Sequence, residues 1–190
     1  MAATTTERAD SRLPPVLGVL LWGAAVSVAL GVYANSHTPT GEKPYTLFFS
    51  DTIQLKVWFA TAAFVLACLQ ILLAMRLYGK LRWPREAPAW LGDAHRLTGT
   101  VAFVLSLPVA YHCLWSLGYQ STTTRVVIHS IVGCVFYGAF VAKVLSVRIS
   151  RLPGWTLPVV GGLVFASLVA IFLTSSVWFF TDRPAGLPLF

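Results

Sequence analysis

The chain has 190 residues, 56% of them hydrophobic and only 11% charged, and its 14 Lys and Arg outweigh 7 Asp and Glu for a formal net charge of +7. So few charged groups cannot cover a water-soluble domain of this size, which excludes an ordinary soluble enzyme and makes lipid the main solvent. The positive charge sits between apolar runs, where it sets topology and attracts anionic headgroups, so it is no argument for nucleic acid.

Residues 1–14 are polar and rich in Thr, and read as a disordered cytoplasmic tail. The apolar run at about 15–34 is long enough to cross roughly 30 Å of hydrocarbon, and it lacks the basic start and cleavage site of a secretory signal. Further runs follow at about 53–75, 98–117, 125–147 and 157–180. All are continuously apolar, without the alternation of a barrel strand, so each is expected as a helix. Pro108 and Pro158 are expected to bend or open the third and fifth helices. The fold predicted is all-α: one integral membrane bundle of five transmembrane helices over residues 15–181, with an extracytoplasmic tail at 182–190.

Orientation follows from the basic residues of the short loops, which stay on the cytoplasmic side. Arg76, Lys80, Arg82, Arg85 and Arg96 follow the second run, and Arg148 and Arg151 follow the fourth. The opposite loops hold Glu42, Lys43, Asp51 and Lys56, and then Arg125 alone. The N-terminus is therefore expected in the cytoplasm and the C-terminus outside, in a multi-pass protein of the bacterial cytoplasmic (inner) membrane.

Cys68, Cys113 and Cys134 all fall inside apolar runs with no CxxC pair, and read as small buried hydrophobes; Cys113 draws notice only because it adjoins a histidine. Histidines inside a bilayer are costly, so each is a candidate functional group. His112 and His129 flank a short loop, each about five residues inside its helix, which sets both roughly 7 to 9 Å below the same surface. Two imidazoles level on neighbouring helices are suited to the axial positions of a b-type haem. Gly133, one turn inward of His129, leaves room for a flat macrocycle, and Phe136, Tyr137 and Phe140 continue that face as an aromatic wall. Lys56 and Arg125 are placed to neutralise haem propionates. The competing reading is that the histidines only hydrogen-bond between helices.

His95, in the sequence Asp93-Ala94-His95-Arg96, lies about 25 Å along the helix from His112 and cannot share its site; Asp93 is its expected N-cap. His37, after the first helix, is expected to be a loop residue, or else to cap the outer site as an alternative ligand or proton carrier. Gln54, Gln70 and Asp51 are weaker candidates that polar bonding between helices explains.

Lys143 lies nearly four turns after His129 on the same face, and Thr98 nearly four turns before His112. Paired histidines at such spacing resemble the two-haem membrane cytochromes of the cytochrome b and ferric-reductase-like type. Lys143 and Thr98 stand where the second pair would fall, so the resemblance implies an outer haem and an inner end turned into a polar site of Lys143 and His95. The stretches His95-Arg96-Leu97-Thr98-Gly99, Leu107-Pro108-Val109-Ala110-Tyr111-His112-Cys113, His129-Ser130-Ile131-Val132-Gly133-Cys134 and Leu152-Pro153-Gly154-Trp155 also resemble an uncharacterised family of small bacterial membrane proteins.

The expected function is that of a b-type cytochrome with one haem b, or two. It would pass electrons between the membrane quinone pool and an extracytoplasmic redox protein, with His112 and His129 on the iron, as an electron-transfer or quinol oxidoreductase subunit. Two alternatives stand beside it: a non-catalytic anchor or assembly subunit of a respiratory complex, and a copper or other metal site built from His37, His112, His129 and Cys113.

Overall fold

The computed structural model describes residues 13–43, 45–81 and 86–182. Among them five helical segments are long and apolar enough to cross a membrane, at Pro15–Ser36, Thr52–Leu77, Leu91–Leu117, Thr124–Arg148 and Thr156–Asp182, and no strand occurs. The helices are α1 (Leu13–Ser36), α2 (Thr52–Leu77), α3 (Leu91–Tyr111), α4 (Thr124–Arg148), α5 (Thr156–Phe172) and the short α6 (Trp178–Asp182). A π-helical turn, His112–Leu117, extends α3, and a second, Leu173–Val177, joins α5 to α6. The expected tails, and Arg82 and Arg85 of the basic loop, lie outside the described residues.

The third span starts at Leu91, seven residues before the expected 98. Its first two turns are polar because they run past the hydrocarbon: Asp93 pairs with Arg96 on the helix surface while Leu91 is buried. Asp93 is a first-turn residue, and Trp90 holds the cap position assigned to it from sequence. Pro108 is accommodated inside α3, and the wider π turn begins one helical turn after it. At the second π turn three polar side chains take up the backbone. Thr174 and Ser175 hydroxyls donate to the Ile171 carbonyl at 3.1 and 2.7 Å, and Ser176 donates to the Val57 carbonyl at 3.2 Å.

The chain divides into two compact units. One joins the described residues up to Ser36 with Tyr119–Ala170. Within it α1 and α4 run antiparallel and approach very closely through small residues. A Cβ on Gly138 would lie 2.0 Å from Ser27 Oγ and 2.2 Å from the Gly23 carbonyl oxygen, and one on Gly23 would lie 2.7 Å from the Gly138 carbonyl oxygen. Gly23 and Ser27 thus face Gly138 and Ala142, two small residues one turn apart on each helix, which lets the backbones touch where apolar side chains gain nothing from leaving lipid. Val19, Ala142 and Val160 form the apolar cluster of this unit, flanked by Leu145, Ile149 and Leu152.

The other unit joins His37–Gly118 with the described residues from Ile171 onward. Here α2 and α3 pair antiparallel. Phe64 stacks flat on Phe172, with centroids 4.2 Å apart, and Trp58 meets Phe180 edge-on at 5.6 Å. Many large apolar side chains of both units are exposed, as Leu21, Trp22, Val28 and Val65 are, which suits a surface solvated by lipid.

Candidate functional site

The 37–51 loop folds over the last turn of α3. A helix ends with carbonyls that lack intrahelical partners, and near hydrocarbon water cannot be relied on to satisfy them. The loop supplies the donors: His37 Nε2–H donates to the Trp115 carbonyl at 2.9 Å, and the Gly41 N–H to the Ser116 carbonyl at 3.0 Å. Gly118, at φ +64°, ends the turn in a conformation that a Cβ would strain. His37 also stacks on Trp115, with centroids 4.8 Å apart and 27° between planes.

His112 lies beneath this loop and is only 1% exposed. Its Nε2–H donates to the Tyr45 carbonyl at 3.0 Å, and the Tyr45 ring tilts over it with centroids 4.8 Å apart. A carbonyl partner requires the hydrogen on Nε2, and among the described residues Nδ1 has no hydrogen-bond partner. Ser116, 4% exposed, and Thr52, 8% exposed, also have hydroxyls without partners among the described residues. Tyr45 also stacks on Tyr111, with centroids 5.8 Å apart, so the loop is held by aromatic contact as well as by backbone bonds. Burial and then the nearby Tyr111 push the Tyr45 phenol up from its usual range. Burial would also raise the Asp51 carboxyl, but the Lys43 ammonium 3.1 Å away and the Thr52 and Ile53 N–H groups together hold it below the usual carboxylate range.

Near the other end of the α2–α3 pair Gln70 joins the helices. Its Nε2 donates to the His95 carbonyl at 2.6 Å and to the Thr98 hydroxyl, which in turn donates to the Ala94 carbonyl at 2.7 Å. The interhelical bonding expected of Gln70 is present. Gln54 accepts from the Ser50 hydroxyl at 2.6 Å and the Ser50 N–H at 3.2 Å at the start of its own helix.

The predicted residues are divided between the two units. His37, Lys56, His95 and His112 belong to the unit built on α2 and α3, and Arg125, His129, Gly133 and Lys143 to the unit built on α1 and α4. His37 and His112 both bond at the loop end of α3, to the Trp115 and Tyr45 carbonyls respectively, whereas His95 lies at its opposite end. A Cβ on Gly133 would meet no heavy atom within 4 Å, so space does surround it. Phe136 is buried and contacts Tyr137 edge-on at 5.1 Å. The three cysteines are free thiols, and among the described residues no group of three or more His, Cys, Asp and Glu side chains converges on one point. Sequence reasoning missed Tyr45, Thr52 and Ser116. Ser116 carried a signal, a hydroxyl one turn after a membrane histidine, while nothing in the spacing marks a loop tyrosine whose backbone is the contact.

The chain belongs to a family of unknown function (DUF6529), which matches residues 16–186. No curated protein and no solved structure matches it. The membership agrees with the resemblance to an uncharacterised family over most of the chain, while the resemblance to two-haem cytochromes rests on the quoted residues alone.

Proposed function

We propose that this member of the family is a multi-pass b-type cytochrome of the bacterial inner membrane that exchanges electrons between the quinone pool and an extracytoplasmic redox protein. The observation that carries the reading is His112, a wholly buried imidazole with one nitrogen donating to a backbone carbonyl and the other bare. Histidine ligands are usually oriented by a hydrogen bond from the ring N–H that does not face the metal; with Nε2 on the Tyr45 carbonyl, the nitrogen left for a metal is Nδ1. A bare ion needs three or four protein donors, and no such group converges among the described residues. Haem iron brings four nitrogens of its own and asks the protein for one or two, so the donor set favours haem over copper. When bound, the haem would carry the electron; the chain would hold the ring, exclude water and tune the potential by burial.

Arg76, Lys80 and Arg96 at the end of the α2–α3 pair away from the 37–51 loop support a cytoplasmic N-terminus and an outward-facing His112. The chain purified from a haem-replete host is expected to show sharp haem b bands in a reduced-minus-oxidised spectrum. His112→Ala removes them, and His129→Ala tests whether the second ligand is the one the sequence pairs with it. A colourless, metal-free preparation would sink the cytochrome reading and leave an anchor subunit.

A further inference from the structure

Two buried hydroxyls of the α2–α3 pair, those of Thr52 and Ser116, have no partner among the described residues. Several helical hydroxyls turn back onto their own backbone, Thr61 to Val57, Thr98 to Ala94, Ser106 to Phe103 and Ser146 to Ala142, whereas in the other unit Thr156 at the start of α5 is also buried without a partner among the described residues. Ser116 and Thr52 do not, and a buried hydroxyl without a partner calls for an explanation.

Helix register sets the two at the same end of the α2–α3 pair. Gln70 of α2 meets Thr98 of α3, which sets the register of the pair. Thr52 lies about five turns before Gln70 and Lys56 about four, so both fall on the face of α2 that meets α3. His112 and Ser116 lie about four and five turns beyond Thr98 on the facing side of α3 and its π turn. Since the helices are antiparallel, Lys56 is level with His112 and Thr52 with Ser116.

We infer that this end of the α2–α3 pair binds a carboxylate, held by the hydroxyls of Thr52 and Ser116 and the ammonium of Lys56 beside the His112 ring. The donor inventory fits that group. Two hydroxyl protons and one ammonium can serve the lone pairs of a carboxylate, and one positive charge balances one negative. A phosphate dianion would keep an uncompensated charge at the edge of the hydrocarbon, which is costly. The carboxylate has two sources in a membrane, a haem propionate or a fatty acid; in the first case the inference rests on the haem reading above.

The test uses the full purified chain in detergent, with each acid compared against its own ester. Haemin and haemin dimethyl ester are titrated by absorbance, and laurate and methyl laurate by thermal shift. Loss of one charge-assisted contact makes haemin about tenfold tighter than its diester. Lys56→Met, Thr52→Val and Ser116→Ala are each expected to shrink that ratio severalfold while leaving diester binding unchanged, with circular dichroism reporting the fold. The same pattern with laurate, and none with haemin, keeps the carboxylate site and assigns it to a fatty acid. The inference is overturned if neither acid is preferred to its ester, or if the substitutions weaken acid and ester alike. Failure of the haem reading is separate: neither haemin form binds, or His112→Ala leaves the haem b bands intact.

Discussion

Single side chains at the two ends of the α2–α3 pair do different physical work. Gln70 is 9% exposed and presses against Gly99, where a Cβ would come within 3.0 Å of Gln70 Oε1. Gly99→Ala should therefore destabilise the wild-type chain but cost less when Gln70 is already Ala, a coupling of about 1 kcal/mol readable from a double-mutant cycle of detergent unfolding. At the loop, Asp51 has its carboxyl pKa lowered by Lys43 in the folded chain. The folded state binds that proton less tightly than the unfolded one. The ion pair's stabilisation is thus present above the unfolded carboxylate pKa and is lost as pH falls through the lower folded value. Because the pair is largely exposed, the effect is about 0.5 kcal/mol at most. It should appear as a small acid-side loss of stability in unfolding measured against pH, and be absent in Asp51→Asn.

Among elements, the crossing of α1 and α4 is the contact least tolerant of volume. Gly138→Ala puts a methyl into backbone atoms that belong to the other helix, so the pair must separate, at about 1 to 3 kcal/mol. Gly133→Ala, on the same helix, meets open space and should be neutral or stabilising by up to about 1 kcal/mol through helix propensity. Thermal unfolding in one detergent separates the two, and a Gly138→Ala variant as stable as wild type would mean the crossing is looser than described. If Gly133 faces the haem, its Ala variant should keep its stability while losing haem occupancy. The π turns are a further property of elements: each sits where hydroxyls or a preceding proline loosen the ordinary ladder, and each buries a serine, Ser116 or Ser176.

For the whole molecule, five spans require that the 37–51 loop and the loop after α2 lie on opposite sides of the membrane. In a background without native cysteines, Thr40→Cys is expected to react with a membrane-impermeant maleimide in intact spheroplasts, and Ala87→Cys only after permeabilisation. The reverse pattern would turn His112 toward the cytoplasm and move the proposed redox partner to that side.

The spans were legible without a structure because hydrocarbon thickness and backbone hydrogen bonding leave a long apolar run almost no conformation but a helix. The polar start of α3 was not, because a helix that continues past the hydrocarbon takes its residues from the interface and loses the apolar signal. His112 was likewise legible, since a histidine in an apolar run is costly wherever it points. Its surroundings were not: that Tyr45 offers a backbone carbonyl, that Thr52 and Ser116 lack partners, and that Gly23 meets Gly138 depend on register between segments distant in sequence. Composition and run length determined which segments are apolar and long enough to cross a membrane, because transfer from water to hydrocarbon is a sum over residues. Only the tertiary structure decided which polar atoms find partners and which do not, because hydrogen bonding depends on distances that no sum over residues contains.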